Sequence, residues 1–182
     1  MKKFTVPAYE EVSPANQAIF DNLKKGIGFV PNVYAFLAHS QGGLGRYLAF
    51  LNAKSSLTNK EKEAVNLVVS QVNGCVYCLS AHTVIGKMNG LTDQEVLTIR
   101  GGNGPDDRLA ALVGLARDIA INRGRASSDK VDAFFAAGYT DGNLVDLVLQ
   151  VSDITVTNYM NNLTEVPVDF PVAPELEVAA LA

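Results

Sequence analysis

Residues 58–90 read TNKEKEAVNLVVSQVNGCVYCLSAHTVIGKMNG, and this stretch predicts two helices joined by a tight break. Thr58 followed three residues later by Glu61 is a capping box, in which each side chain reaches the other's backbone N–H. The helix it opens runs to about Val72. Asn73-Gly74 then stops it, because these residues tolerate the left-handed conformation that ends helices. A second helix follows from about Cys75 to Met88, closed by Asn89-Gly90. Nothing in the stretch alternates with the period of two that a half-buried strand requires.

The same grammar extends in both directions. Ser13-Pro14 places a cap before a proline at the first helical position, opening a segment to about Lys25 that Gly26 and Gly28 stop. Pro31 opens the next, through Phe36 and His39, and Leu44 to Ala53 is a third. Thr92 with Glu95 is a second capping box, with a stop at Gly101-Gly102. Asp106 to Asn122 follows Pro105, and Asp129 to Ala137 follows Ser128 and ends at Gly138. Thr140 caps a long apolar helix to about Leu163. Its residues Leu144 to Met160 are apolar over more than one stripe, which predicts burial on several sides, in a chain centre or at a subunit interface. Pro167, Pro171 and Pro174 make the tail extended. The expected fold is all-α: one helical-bundle domain over residues 1–182, with a core of about 13–165 and an arm over 166–182.

A chain of 182 residues is the size of one domain, and 48% hydrophobic content allows a sizeable core. Fifteen basic and nineteen acidic residues leave a net charge of −4, which favours neither nucleic acid nor an anionic membrane as partner. Met1-Lys2-Lys3 is positive, but Pro7, Glu10 and Glu11 interrupt any targeting segment. No apolar run reaches the ~18 residues of a membrane helix. The two cysteines lie three apart, a spacing more typical of redox or metal chemistry in a reducing compartment than of a secreted disulfide scaffold. The expected location is the cytoplasm.

Cys75, Cys78 and His82 fall at i, i+3 and i+7, on one face of a helix. The cysteines sit in its first turn, where unpaired N–H groups and the helix dipole favour a thiolate, the reactive form of cysteine. His82 lies one turn beyond Cys78. Three plainer readings compete: inert packing, a zinc site, and a thioredoxin-like fold. Zinc needs four ligands, and His39 is the only histidine besides His82. No βαβ pattern surrounds the CxxC. Asn59, Glu63, Asn66, Ser70 and Asn73 form a stripe at helical spacing. A solvated face is the usual meaning of such a stripe, but these residues are mostly short and uncharged, which fits a polar pocket with Glu63 as a proton-transfer group. His39, set between apolar residues and Ser40, reads as structural. Tyr77 either packs or bonds a pocket group.

Glu63, then Cys75-Val76-Tyr77-Cys78, then His82 resembles the core motif of the alkylhydroperoxidase D and carboxymuconolactone decarboxylase-like superfamily. Pro31-Asn32, Leu37-Ala38-His39-Ser40 and Val168-Asp169-Phe170-Pro171 are similar to its peroxidase-related branch, so that the resemblance runs from about residue 5 to residue 172. It implies an all-helical homo-oligomer that reduces hydroperoxides with a cysteine pair and no metal, haem or other cofactor. By motif position Cys78 would be the peroxidatic cysteine and Cys75 the resolving one, with His82 and Glu63 as proton relay. The family prototype carries a second histidine where this chain has Tyr77, so the relay is not identical.

The expected activity is therefore that of an antioxidant thiol peroxidase acting on a small hydroperoxide. An external dithiol, lipoyl-type or thioredoxin-like, would restore its thiols. Two rivals remain: a general acid/base enzyme of the carboxymuconolactone decarboxylase type using His82 and Glu63, and a redox-sensing helical binding module.

Overall fold

The computed structural model describes residues 3–176, and every regular element among them is helical. Nine α-helices follow a 3-10 turn at Tyr9–Glu11: α1 Pro14–Ile27, α2 Asn32–Leu37, α3 Gly43–Leu51, α4 Asn59–Val72, α5 Val76–Met88, α6 Asp93–Arg100, α7 Asp107–Asn122, α8 Ser128–Ala136 and α9 Asp141–Thr164. The expected helices are all present, with ends moved by a few residues. The chain divides into two compact units, residues 1–54 with 160–169, and 55–159 with the segment from Phe170 onward.

In the first unit, Ser13 caps α1 by accepting the Asn16 N–H at 3.3 Å, with Pro14 at the first helical position. Gly28 ends that helix with φ +89°, a left-handed conformation that glycine adopts without steric cost. Val12, Phe20, Ala35, Leu37, Leu44 and Tyr47 form the core. The buried Asn16 donates from Nδ2 to the carbonyls of Ala38 and Ser40, at 2.9 and 3.2 Å, so the turn between α2 and α3 keeps its polar backbone satisfied. The start of α2 is held from far along the chain. The Asn32 N–H donates to Asp169 Oδ2 at 2.7 Å, and Asn32 Nδ2 to the Pro167 carbonyl at 3.0 Å. Two of the short motifs noted in the sequence, Pro31-Asn32 and Val168-Asp169-Phe170-Pro171, thus meet here.

The second unit is built around α4. Residues 63–70 of this helix are all buried, which requires neighbours on every side, and α5, α6 and α7 supply them. Leu112, Val113, Leu115 and Ala116 are the fully buried side of α7. Both expected capping boxes form, Thr58 with Glu61 and Thr92 with Glu95. Glu61 also accepts the Tyr139 hydroxyl at 2.8 Å, and that ring stacks on Phe134.

The long helix α9 is not the buried centre that its apolar content allowed; α4 takes that place. α9 buries Leu147, Val151 and Ile154 on one side and exposes Val145, Val148, Leu149, Val156 and Tyr159 on the other. No helix among the described residues is long and apolar enough to cross a membrane. The tail is extended as expected through the described part of 166–182, yet Val166 is buried and residues beyond it dock on their own chain. Residues 177–182 of the expected arm lie outside the described residues.

Candidate functional site

The break at Asn73-Gly74 positions the cysteines. Gly74 has φ +65°, its N–H donates to the Gln71 carbonyl, and the Cys75 N–H donates to the Ser70 carbonyl at 3.0 Å. This is a Schellman closure of α4. The residue that completes it, Cys75, is at once the N-cap of α5, with its Sγ accepting the Cys78 N–H at 3.2 Å. Cys75 therefore stands just outside the helix, whereas the sequence put it in the first turn. The contact falls where helix N–H groups lack partners and where negative charge on sulfur is favoured. The two sulfurs are joined as a disulfide, with Cα atoms 5.3 Å apart. Both cysteines are buried, at 0% and 2% exposure.

His82 follows one turn after Cys78 on α5, and Glu63 comes from α4. Glu63 Oε2 lies 2.7 Å from His82 Nδ1. Two acceptors at that distance would repel, so a proton lies between them. With it on Nδ1, the lone pair of the neutral ring is at Nε2. The side chains are 18% exposed for His82 and 11% for Glu63. Gly86, one turn beyond His82, helps α4 approach: a Cβ there would meet Glu63 Cβ at 3.7 Å and Leu91 Cδ1 at 3.0 Å.

The polar stripe of α4 is mostly not a solvated face. Glu63, Asn66 and Ser70 are buried, and Asn73 is half-buried; only Asn59, the first residue of the helix, is exposed. Asn66 Nδ2 donates to Glu63 Oε1 at 3.2 Å and sits 3.3 Å from His82 Nδ1. Ser70 Oγ accepts from Asn158 Nδ2 at 3.0 Å, and Asn73 Nδ2 donates to Asn158 Oδ1 at 2.9 Å. Sequence reasoning missed the buried polar groups of α9, Gln150, Asp153, Thr157 and Asn158, of which Gln150 bonds Asn66 and Asn158 bonds Ser70 and Asn73. The signal was there, since Gln150, Asp153 and Thr157 recur at helical spacing in an otherwise apolar segment.

Tyr77 is buried and packs edge-on against Phe170, with ring centroids 5.8 Å apart. Ser80 Oγ donates to the Val76 carbonyl at 2.8 Å and accepts the Ala173 N–H at 3.0 Å. The tail therefore runs along α5, meeting it at Tyr77 and Ser80. His39 lies in the first unit, where Nε2 is 2.9 Å from the Thr5 carbonyl and the ring packs edge-on against Phe36. That is the structural role its sequence context predicts. Among the described residues, no group of three or more His, Cys, Asp or Glu side chains is arranged to hold a metal ion.

Residues 39–120 match the model of the carboxymuconolactone decarboxylase family. The chain is 26% identical to the uncharacterized protein YdfG of Bacillus subtilis (strain 168) over 110 residues, 58% of this chain and 74% of that one. An uncharacterized peroxidase-related protein from Ralstonia eutropha JMP134, described as an alkylhydroperoxidase AhpD core, superposes with a TM-score of 0.80 at 19% identity, covering 98% of this chain and 94% of the other. The debrominase Bmp8, in a variant complexed with 2,3,4-tribromopyrrole, superposes with a TM-score of 0.78 at 14% identity, covering 93% of each chain. At these identities the two structures share a fold with this chain.

Proposed function

We propose that this chain, whose residues 39–120 match the carboxymuconolactone decarboxylase family and whose fold is shared with peroxidase-related proteins, is a member of the alkylhydroperoxidase D and carboxymuconolactone decarboxylase-like superfamily and a thiol-dependent peroxidase whose reacting group is the Cys75–Cys78 pair. The observation that carries this reading is the 2.7 Å Glu63–His82 bond, one helical turn from a cysteine pair able to close as a disulfide.

In the reduced enzyme, His82 Nε2 takes the Cys78 proton. The Cys78 thiolate attacks the outer oxygen of a hydroperoxide, the S–O bond forms as the O–O bond breaks, and the alcohol leaves with the proton returned by His82. Cys78 is now a sulfenic acid. Cys75 attacks its sulfur, water departs and the disulfide closes. The peroxide has gained two electrons, and an external dithiol resupplies them by exchange. Glu63 steadies the imidazolium that forms between the two proton transfers. A cytoplasmic location, which rests on the cysteine spacing, and assembly as a homo-oligomer, which the uncharged apolar face exposed by α9 supports, are part of the same proposal.

Counting thiols before and after one equivalent of hydroperoxide tests the cycle. Two thiols lost per chain, then recovered with a dithiol, is the expected result; no loss would remove the peroxidase reading. The family match over residues 39–120 and the greater exposure of His82 than of either sulfur favour one alternative, general acid/base catalysis by His82 and Glu63. That reading requires activity to survive removal of both cysteines.

A further inference from the structure

Behind Glu63 stands a chain of amides contributed by two helices far apart in sequence. Glu63 Oε1, the oxygen turned away from His82, accepts from Asn66 Nδ2 at 3.2 Å. Asn66 Oδ1 accepts from Gln150 Nε2 at 2.8 Å, and the same Gln150 nitrogen donates to Asp153 Oδ2 at 3.2 Å. Asn66, Gln150 and Asp153 are 3%, 9% and 5% exposed, so these bonds compete little with water.

An isolated amide can turn either way, because its nitrogen and oxygen have nearly the same shape. Here both turns are decided from outside. A carboxylate only accepts, so the Gln150 NH2 must face Asp153. Its second N–H then meets Asn66 Oδ1, which turns the Asn66 NH2 toward Glu63. The Asn66 N–H and the His82 Nδ1–H lie side by side, their nitrogens 3.3 Å apart, and address the two oxygens of one carboxylate. Glu63 is gripped at both oxygens and cannot rotate without losing one donor.

We propose that Asn66, oriented by Gln150, is a positioning residue that fixes Glu63 so that Oε2 takes the His82 Nδ1–H and leaves Nε2 as the nitrogen that moves protons at Cys78. The proposal deepens the peroxidase reading and rests on it for the role of His82 as base. The tautomer claim itself is independent of turnover. Without the Asn66 donor, Glu63 Oε1 becomes a buried acceptor with no partner from α4, and the carboxylate rotates to recover one. A placement error of about 1 Å is enough to cost up to ~10²-fold in rate.

The test is the nitrogen NMR spectrum of reduced protein labelled in its histidines. Only His39 and His82 contribute, and His82→Ala assigns them. In the wild type, neutral His82 should carry its proton on Nδ1. Asn66→Leu and Gln150→Leu should each give a mixture of the two tautomers, and should slow single-turnover oxidation of Cys78 by an alkyl hydroperoxide by up to ~10²-fold. Asn66→Asp keeps the shape but replaces the donor with an acceptor, and should draw His82 toward the doubly protonated form. It also decides the matter if the leucine variants fail to fold, which thermal melts will show. Folded variants with wild-type His82 signals and oxidation rates would overturn the proposal while leaving the peroxidase reading in place. A tautomer mixture in the variants, together with a wild type that consumes no peroxide, would uphold the positioning role and remove the peroxidase reading alone.

Discussion

Cys78 and Cys75 are chemically alike and differ in setting. Cys75 is the N-cap and its sulfur already accepts an N–H, whereas Cys78 lies inside α5 with His82 one turn on. The helix N-terminus favours a thiolate at Cys75, and the histidine favours Cys78; the proposed roles follow the histidine, so Cys78→Ser should abolish peroxide reduction, while Cys75→Ser should stop turnover but let a sulfenic acid accumulate at Cys78. Labelling with a dimedone-type probe reads this directly, and label at Cys75 of Cys78→Ser with none at Cys78 of Cys75→Ser would reverse the roles. Glu63→Gln keeps the shape and removes the charge that stabilises imidazolium. The peroxide rate should fall by about 10²–10⁴-fold, the usual worth of acid–base assistance. An unchanged rate in a folded Glu63→Gln chain would exclude Glu63 from proton transfer.

Between α4 and α5, one turn performs two tasks, ending the first helix and placing the cap of the second. Gly74 makes this possible with φ +65°. A Cβ there meets no neighbour within 4 Å, so the cost of Gly74→Ala is conformational, about 1–2 kcal/mol. Urea unfolding should show that loss, and the variant should also close its disulfide more slowly after peroxide treatment. On α9, Val145, Leu149, Ser152, Val156 and Tyr159 are exposed at alternating steps of four and three residues, the spacing of a coiled-coil seam. The helix carries no lysine or arginine. A charge placed on this face, as in Leu149→Lys, should dissociate the proposed homo-oligomer. Light scattering of the dilute wild type should give a mass above the 19.4 kDa of one chain, and a folded, active monomer would discard the assembly.

Stability of the whole chain should depend on pH through side chains that tie loops to helices. Asp146 accepts from both the hydroxyl and the backbone N–H of Ser56, and Asp118 accepts in the same way from Ser127. The Ser56 hydroxyl and backbone bonds hold Asp146 below its ordinary value of 3.8. For Asp118 the Ser127 backbone bond is the leading cause of a shift in the same direction. A carboxylate with a folded pKa below its unfolded one contributes stability above the unfolded value and loses it as pH falls through the folded value. The melting temperature should therefore hold at neutral pH and decline below about pH 4. The double variant Asp118→Asn, Asp146→Asn should start lower and decline less over that window. An equal decline in both proteins would assign the acid sensitivity to other groups.

Caps, breaks and the CxxC spacing could be read directly because they act over three to seven residues, where neighbours in sequence are neighbours in space. Thr58 with Glu61, Gly74 after Asn73, and Cys75, Cys78 and His82 are of this kind, and the helices end where such signals fall. Glu63 was half legible: its stripe of short polar residues suggested a pocket, but burial depends on which helices surround α4. The remaining contacts join distant segments. Gln150 reaches Asn66 across 84 positions, Asp169 reaches Asn32 across 137, and Ala173 reaches Ser80 across 93. The apolar residues of α9 masked its polar stripe, and their number suggested burial in the chain's centre or in an interface; the chain centre went to α4, and α9 exposes an apolar face. Periodicity tells which residues share a side of a helix. Which side meets another helix, and therefore which polar groups lose water and must find one another, is settled only when the helices pack.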